Sequence, residues 1–184
     1  MRDSDEIEKA VTRAEHAGRG HIPDPDNPRL LRRALGQFAT GVTVITAREA
    51  GSEAPIGMTV NSFASVSLDP ALVLWSAARA SMRHAHFSCA EAFAIHILRA
   101  DQAPLAERFA RNQGFHDLPF KMNPEGAPIL PDTLARLECV TEATHEGGDH
   151  TIIIGRVLRF EMAGAGEPLL FAQGQYGRFQ PGKP

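Results

Sequence analysis

The chain has 184 residues, of which 43% are hydrophobic and 22% are charged. These values are typical of one globular domain that buries a core without disulfide bonds. The formal net charge of -3 excludes the strongly basic surface that draws proteins to nucleic acid or anionic membranes. The charged N-terminus lacks a secretory signal, and no run approaches the roughly 18 apolar residues of a membrane-spanning helix. We therefore expect a cytoplasmic protein.

The first 29 residues differ from the rest of the chain. Ser4 is suited to cap a short helix. Apolar residues recur behind it at helical spacing: Ile7, Ala10, Val11 and Ala14. Glycines and prolines between Gly18 and Pro28 then interrupt regular structure. We predict an N-terminal extension over residues 1–29, consisting of a helix and a linker, followed by one domain over residues 30–180.

The domain is predicted to be mainly β. A short helix is expected at 30–39, and further short helices at 81–88 and behind Asp101 as an N-cap. Runs of β-branched and apolar residues predict strands at 41–47, 57–68, 71–76, 92–98, 137–145, 149–162 and 169–171. The run 71–76 is almost continuously apolar, which indicates a strand covered on both faces. Residues 112–131 form a long loop rich in glycine and proline, of the kind that often carries function.

The number of strands and their turns indicate an all-β architecture of antiparallel type. Six or seven antiparallel strands with glycine turns, such as Gly147-Gly148, favour a closed or partly closed barrel, although a sandwich has the same periodicity. The two cysteines, Cys89 and Cys139, are isolated in the sequence. They are predicted to be small buried hydrophobic residues rather than a disulfide or a metal site.

The strand predicted over 57–68 is unusually polar. Alternation places five of its residues on one face: Thr59, Asn61, Phe63, Ser65 and Ser67. Such a face either meets solvent in an ordinary antiparallel sheet or lines a groove for a ligand. A flavin suits the second interpretation, because its ring carbonyls, ribityl chain and phosphate form hydrogen bonds with small polar side chains and backbone groups.

Several segments resemble, in order and at similar spacing, the flavin reductase family. They are Leu35 to Thr46; Gly57-Met58-Thr59-Val60-Asn61-Ser62-Phe63 with Ser65-Val66-Ser67-Leu68-Asp69-Pro70; Phe93 to Leu98 with Gln102, Leu105 and Phe109; and Leu137-Glu138-Cys139 with Gly148-Asp149-His150 and Gly155-Arg156-Val157. This family comprises reductase components of two-component flavin monooxygenases, such as that of hydroxyphenylacetate monooxygenase. The resemblance implies an FMN-binding split β-barrel of Greek-key type, usually a homodimer with two sites at the subunit interface.

The resemblance also implies which residues form the site. The cofactor-binding set is Met58, Thr59, Val60, Asn61, Ser62, Ser65, Val66, Ser67, Ser76, Ala77, Ala78, Ser81, Phe109, His150 and Tyr176. His150 is the expected catalytic residue, since the equivalent histidine in the family faces flavin and nicotinamide. Met58, Val60 and the segment 76–78 would contribute backbone groups, and Ser81 would lie at a helix N-terminus near the phosphate.

Charged and aromatic side chains add further candidates to this site. Arg79 and Arg83 are candidates to neutralise the phosphate, and Phe63, Trp75 or Phe109 to shield the ring. No metal site is predicted, because His145, Glu146, Asp149 and His150 are interrupted by two glycines and lack the spacing of zinc ligands. Gly164-Ala165-Gly166 lacks the third glycine and the following helix of a dinucleotide fingerprint.

The resemblance therefore implies an NAD(P)H-dependent flavin reductase. It would transfer a hydride from NADH or NADPH to FMN or FAD and supply the reduced flavin to a partner monooxygenase. Three alternatives remain from the sequence: an enzyme with tightly bound flavin that reduces a corrinoid or iron, a non-catalytic flavin-binding module, and a structural barrel without flavin. Neither the choice between FMN and FAD nor that between NADH and NADPH is readable from the residues.

Overall fold

The computed structural model describes residues 4–16 and 20–182, and the chain divides into two compact units between Phe38 and Ala39. The first unit contains helix α1 over Ser4–His16 and helix α2 over Arg29–Leu35. Helix α2 therefore ends four residues earlier than the predicted helix at 30–39. Within the described ranges, no helix is long and apolar enough to cross a membrane.

The second unit is built from antiparallel strands and two short helices. Its strands are β1 Thr40–Gly41, β2 Thr43–Arg48, β3 Pro55–Val60, β4 Ala64–Leu68, β5 Ala71–Ala78, β6 Ala92–Ile97, β7 Lys121–Met122, β8 Pro128–Ile129, β9 Ala135–Gly147, β10 His150–Met162, β11 Leu169–Ala172 and β12 Gln175–Arg178. Helix α3 spans His84–Ser88, and helix α4 spans Ala103–Ala110 behind a 3-10 turn over Ala100–Gln102.

The largest sheet curls into a split β-barrel. Its strand order is β3-β2-β6-β9-β10-β5-β4, and every pairing in it is antiparallel. The first and last strands of this order are consecutive in the chain and are joined by residues 61–63 alone. Three residues span at most about 13 Å between the flanking Cα atoms, so the two edges lie close together without pairing. A barrel rather than a sandwich is confirmed.

The break at 61–63 corrects the predicted strand over 57–68. Thr59 belongs to β3, whereas Ser65 and Ser67 belong to β4 at the other edge of the sheet. The alternation of polar residues continues through the break because both halves are strands, but it does not mark where the chain leaves one edge for the other. The shared polar face inferred from alternation is therefore wrong.

The barrel interior is apolar and contains the largest buried side chains. Its buried members are Ile45, Ala47, Met58, Val60, Val73, Trp75, Ala77, Phe87, Phe93, Ile95, Cys139 and Ile153. The Trp75 ring meets Phe87 and Phe93 edge to face, at centroid distances of 5.3 and 6.0 Å. Burial alternates along β5, so the expectation that this strand is covered on both faces is wrong. The intervening leucines, Leu72 and Leu74, lie on its partly exposed outer face.

The two cysteines have different environments. Cys139 is buried in the barrel, as predicted, and burial raises the pKa of its thiol to about 12. Cys89 is exposed, which contradicts the prediction. It follows the last residue of α3, where the chain turns at the surface before β6.

Helix α4 packs on the outside of the barrel over a second apolar cluster. The buried members of this cluster are Val42, Val44, Leu98, Ala106, Phe109, Phe115, Leu130 and Leu169. Strand β2 is buried along nearly its whole length because it contributes to both clusters. Asp101 does not cap α4 as predicted; its carboxylate contacts the Arg99 guanidinium at 3.1 Å, and Gln102 occupies the N-cap position.

Buried polar groups hold the long segment 112–131 against the barrel. Asn123 and Arg159 both donate to the carboxylate of Glu138, which is 6% exposed. Burial by itself favours the protonated form of this carboxyl. The hydrogen bonds from Asn123 and Arg159 and the charge of Arg136 outweigh it, and the pKa of Glu138 lies below its usual value. The carboxylate is thus a charged anchor for the β7–β8 hairpin.

His96 is a second anchor for the same segment. It is fully buried on β6, where its Nε2 accepts the Leu130 N–H at 3.0 Å and its Nδ1 lies 3.1 Å from the Val44 carbonyl oxygen. Because an N–H group can only donate, Nε2 carries no proton and the ring is neutral with its proton on Nδ1. Burial lowers the pKa of His96 to about 4, although the bond to Val44 acts in the opposite direction.

We predict that His96 makes folding sensitive to acid. The unfolded histidine titrates near its usual pKa of 6.5 and the folded one near 4, so the unfolded state binds the extra proton between these values. Stability is then lost as the pH falls from about 6.5 to 4, by about 3 kcal/mol in total. Urea unfolding at several pH values should show this loss in the wild type and a smaller one in His96→Gln. Equal pH profiles for the two proteins would contradict the assignment.

Candidate active site

A cavity opens where the end of β3 meets β1, α4 and the β11–β12 hairpin. Its volume is about 200 Å³, and its walls are formed by Val42, Thr59, Val60, Asn61, Ala110, Phe171 and Tyr176. The rings of Tyr176 and Phe171 meet edge to face at 5.6 Å. Burial raises the pKa of the Tyr176 hydroxyl, which therefore stays protonated at neutral pH. The cavity thus has apolar walls and three polar side chains: Thr59, Asn61 and Tyr176.

Thr59 also ties the cavity wall to helix α4. Its hydroxyl donates to the Ala106 carbonyl oxygen at 2.6 Å. Gly57, two residues earlier, lies so close to Phe109 that a Cβ there would be 2.3 Å from a ring atom. The absence of a side chain at position 57 therefore permits the close approach of β3 and α4, and the hydroxyl of Thr59 fixes their register.

Ser62 lies in the connection between β3 and β4 and bonds to the backbone of Ser76. Its Oγ accepts the Ser76 N–H at 3.0 Å and donates to the Ser76 carbonyl at 3.3 Å. Backbone groups of alternate residues in a strand are directed to the same side. The Ser76 groups are directed to the β4 side, and Ala77 therefore faces β10, where it pairs with Thr151. Ala78 is directed, like Ser76, to the side on which β4 has ended.

The backbone N–H groups of residues 76–78, which the sequence predicts to be equivalent flavin donors, therefore have different environments. Ser76 donates to Ser62, and Ala77 belongs to the ladder with β10, so neither matches the expectation of a backbone donor for a flavin. The Ala78 N–H is directed to the open edge beside Ser62, where a ligand can accept it. The sequence could not distinguish the three because all are small residues in one strand.

His150 lies on the strand that pairs with the other edge of β5. It is the first residue of β10 and pairs with Ala78 of β5. Its half-exposed ring contacts Asp149 through Nδ1, 2.7 Å from the carboxylate Oδ1. The backbone of Asp149 is fixed in turn, because its carbonyl accepts the Arg79 N–H at 2.9 Å. A histidine that donates through Nδ1 to a carboxylate presents Nε2 outward, so His150 has a defined orientation at the site.

The turn before α3 differs from the prediction. The helix begins at His84, three residues beyond Ser81, so Ser81 is not at its N-terminus. The Ser81 hydroxyl accepts the Arg83 N–H at 3.3 Å, and the Arg79 guanidinium meets Glu146 at the surface at 3.1 Å. The Arg83 guanidinium donates instead to the carbonyl oxygens of Gly57 and Phe109.

Sequence reasoning missed one contact of this turn. His84 Nε2 lies 2.8 Å from the hydroxyl of Thr151, the residue after His150. The sequence pattern contains no signal for this contact, because the two residues are 67 positions apart. Within the described residues, no group of three or more His, Cys, Asp or Glu side chains is arranged to hold a metal ion.

Comparison with known proteins identifies the family. A family model described as the flavin reductase like domain matches residues 35–180. The chain belongs to the flavin reductase family. FMN reductase (NADH) SmoA of Agrobacterium fabrum is 57% identical over 159 residues, which cover 86% of this chain and 90% of that protein. HsaB of Rhodococcus jostii, the reductase subunit of a flavin-dependent monooxygenase, is 37% identical over 85% of this chain and 80% of its own length.

A solved relative shows the same architecture. The NADH:FAD oxidoreductase SgcE6 of Streptomyces globisporus, in complex with NAD and FAD fragments, superposes with a TM-score of 0.78 at 38% identity. The match covers 88% of this chain and 98% of that one. The family and the FMN-binding split barrel that the sequence predicted are therefore confirmed.

In this flavin reductase two aromatic candidates lie in the core and not in the cavity wall. Phe109 is fully buried under α4, and Trp75 is fully buried inside the barrel. Neither ring presents a face to the cavity, which contradicts the expectation that they shield a flavin. The side chains of Met58 and Val60 also point into the barrel, which leaves only their backbone groups for the cavity side. The prediction that Met58 and Val60 contribute backbone groups is compatible with these positions, whereas the rings of Phe109 and Trp75 belong to the core.

The remaining members of the predicted set lie on β4. Ser65 and Val66 are exposed there, and Ser67 is partly exposed. The pairing of β4 with β5 is irregular between Ser65 and Ser67. The structure thus divides the predicted residues into those around the cavity, those around Ser62 and His150, and those on the exposed β4 edge.

Proposed function

We propose that this flavin reductase uses NADH to reduce FMN or FAD and that the reduced flavin serves a partner monooxygenase. The observation that carries the proposal is its high identity to the Agrobacterium NADH-dependent FMN reductase along most of both chains. The similarity to the monooxygenase subunit HsaB supports the role of the product. We also propose the cytoplasm as the place of action, because NADH is available there.

The site residues fit part of a flavin nucleotide. A cavity of about 150 Å³ binds benzene, and sites for larger ligands measure about 300 to 1,000 Å³. The cavity beside Thr59 and Tyr176 has a volume of about 200 Å³ and therefore accommodates only part of a flavin ring system. The rest of the nucleotide would lie along the open edge between β3 and β4, where Ser62 and Ala78 provide polar groups, and would extend to His150 at the start of the neighbouring strand β10.

The proposed roles follow from these positions. When bound, the flavin accepts a hydride from the nicotinamide of NADH, which leaves negative charge on its ring. The Ala78 N–H at the open edge and the His150 ring at the start of β10 are the donors that would stabilise this charge. Asp149 orients His150 through Nδ1, so the histidine acts by positioning and hydrogen bonding.

We also propose that the chain forms a homodimer that completes the site. Phe160 and Met162 occupy alternate positions of β10 and are each 71% exposed, and Leu68 on the β4 edge is 95% exposed. Clusters of exposed apolar side chains commonly mark protein interfaces. Because one chain offers only a small cavity and an open edge, a second copy of the chain would supply the missing wall.

The proposed activity is tested by NADH oxidation in the presence of FMN or FAD. We expect steady loss of absorbance at 340 nm that depends on added flavin, with weak activity when only bound flavin is present. A yellow protein with slow flavin exchange would favour the alternative acceptor, a corrinoid or iron. Bound flavin without NADH oxidation would favour a non-catalytic module.

We predict that His150→Ala lowers kcat/KM for flavin reduction by about ten- to a hundredfold, since one hydrogen bond to a charged group contributes about 1.5 to 3 kcal/mol. A matched control is His116→Ala. His116 also contacts a neighbouring aspartate, with Nδ1 2.6 Å from Asp117, but it lies on the exposed loop. The control should keep wild-type kinetics. Equal effects of the two substitutions on kcat/KM would contradict the proposed role of His150.

We predict that Phe160→Glu weakens the homodimer, because a buried carboxylate without a partner is costly. Sedimentation velocity should show a dimer for the wild type and a shift toward monomer for the variant. The control is Leu35→Glu, at an exposed position of the first unit. A wild-type monomer at all concentrations would exclude the dimer.

A further inference from the structure

Arg83 joins the two elements that flank the cavity. Its Nη1 donates to the Gly57 carbonyl of β3 and, at 2.9 Å, to the Phe109 carbonyl of α4. Thr59 and Ala110, which line the cavity, lie two residues beyond Gly57 and one beyond Phe109. We propose that Arg83 is a positioning residue for flavin reduction, which fixes the distance between β3 and α4 and thereby the shape of the ring-binding cavity. This inference rests on the proposed function.

The base of the arginine side chain is firmly held. Its backbone N–H donates to the Ser81 hydroxyl, and the helix that follows inserts Phe87 into the barrel interior, where it packs on Trp75. The guanidinium is therefore carried by a segment whose own position is fixed by the core. A rigid base is needed for one side chain to hold two other elements at a set distance.

The two acceptors are suited to a cation. The Phe109 carbonyl is among the last four of α4, which have no partner within the helix. A positive charge at a helix C-terminus is also favoured by the helix dipole. The Gly57 carbonyl lies on the strand that touches α4 through the close contact with the Phe109 ring. The bond from Thr59 to Ala106 is a second tie across the same interface.

The residue after Arg83 connects the same turn to the strand that carries His150. His84 contacts the hydroxyl of Thr151, which follows His150 in β10. Two successive residues, Arg83 and His84, thus contact the cavity wall and the strand of His150, respectively. A change in the position of this turn would displace the cavity relative to His150. Hydride transfer depends on the alignment of the reacting groups, so such a displacement would slow it.

A direct contact with the flavin phosphate is the competing role for Arg83. A guanidinium has five N–H donors, and the two carbonyl bonds use only Nη1. The two roles predict different substrate dependence. A phosphate contact matters for FMN and not for riboflavin, which has the same ring and ribityl chain but no phosphate. A positioning role matters equally for both.

The test compares wild type, Arg83→Ala and Arg83→Lys, with NADH and either FMN or riboflavin. We expect kcat/KM to fall about tenfold or more in Arg83→Ala, by the same factor for both flavins. Arg83→Lys should recover little of the loss, because an ammonium on a shorter side chain does not reproduce the planar guanidinium. If riboflavin is not turned over, its inhibition constant against FMN replaces kcat/KM. If Arg83→Ala does not fold, the loss of kcat/KM for FMN and for riboflavin is compared in Arg83→Lys instead.

The matched control is Arg108→Ala. Arg108 also donates to two backbone carbonyls, those of Gly114 and His116, but it ties α4 to the long loop rather than to β3. The substitution Arg108→Ala should lower Tm as much as Arg83→Ala does, while kcat/KM stays within about twofold of the wild-type value. A loss for FMN alone, an unchanged Arg83→Ala, or an equal loss in Arg108→Ala would each overturn the inference. A wild type without NADH oxidation would instead refute the proposed function, and the inference with it.

Discussion

The connection of residues 61–63 is the constraint on which the architecture of the site depends. It joins the first and last strands of the large sheet, so the sheet must curl until its edges are neighbours. The edges are not paired with each other, and the backbone groups of β5 beyond the end of β4 need other partners. The Ser62 hydroxyl provides them for Ser76. The opening of the barrel, and the polar groups that surround it, follow from this one short connection.

Helix α4 gives the same opening its second wall. The close contact between Gly57 and Phe109 brings the helix against β3, and Thr59 and Arg83 tie the two together through backbone carbonyls. The side chains that do this are partly buried and bonded to the protein itself. The Thr59 hydroxyl and the Arg83 guanidinium thus hold the walls of the cavity, while the backbone at Ala78 is directed to the side on which β4 has ended.

The long segment 112–131 is held by buried polar groups rather than by a regular ladder. His96 and Glu138 each form hydrogen bonds to this segment from the outer side of the barrel sheet. Their opposite charge states have the same physical origin. The ring of His96 is neutral because burial penalises its charge and Nε2 is occupied by a donor, whereas Glu138 stays charged because Asn123 and the neighbouring arginines compensate for burial.

The sequence by itself determined most of the strands and the family, because β-branched runs, glycine turns and an ordered motif are local properties of the chain. It predicted a barrel-like fold and the residues Thr59, Asn61, Tyr176 and His150. Only the tertiary structure decided that the polar strand breaks at 61–63, that Phe109 is core, and that Arg83 meets two carbonyls. These features depend on partners that are distant in the chain: 14 residues for Ser62 and Ser76, 26 for Arg83 and Phe109, and more for Gly57 and Phe109. Periodicity along a strand predicts which residues share a face. It does not predict which strand edge or which backbone carbonyl lies next to them in the folded chain.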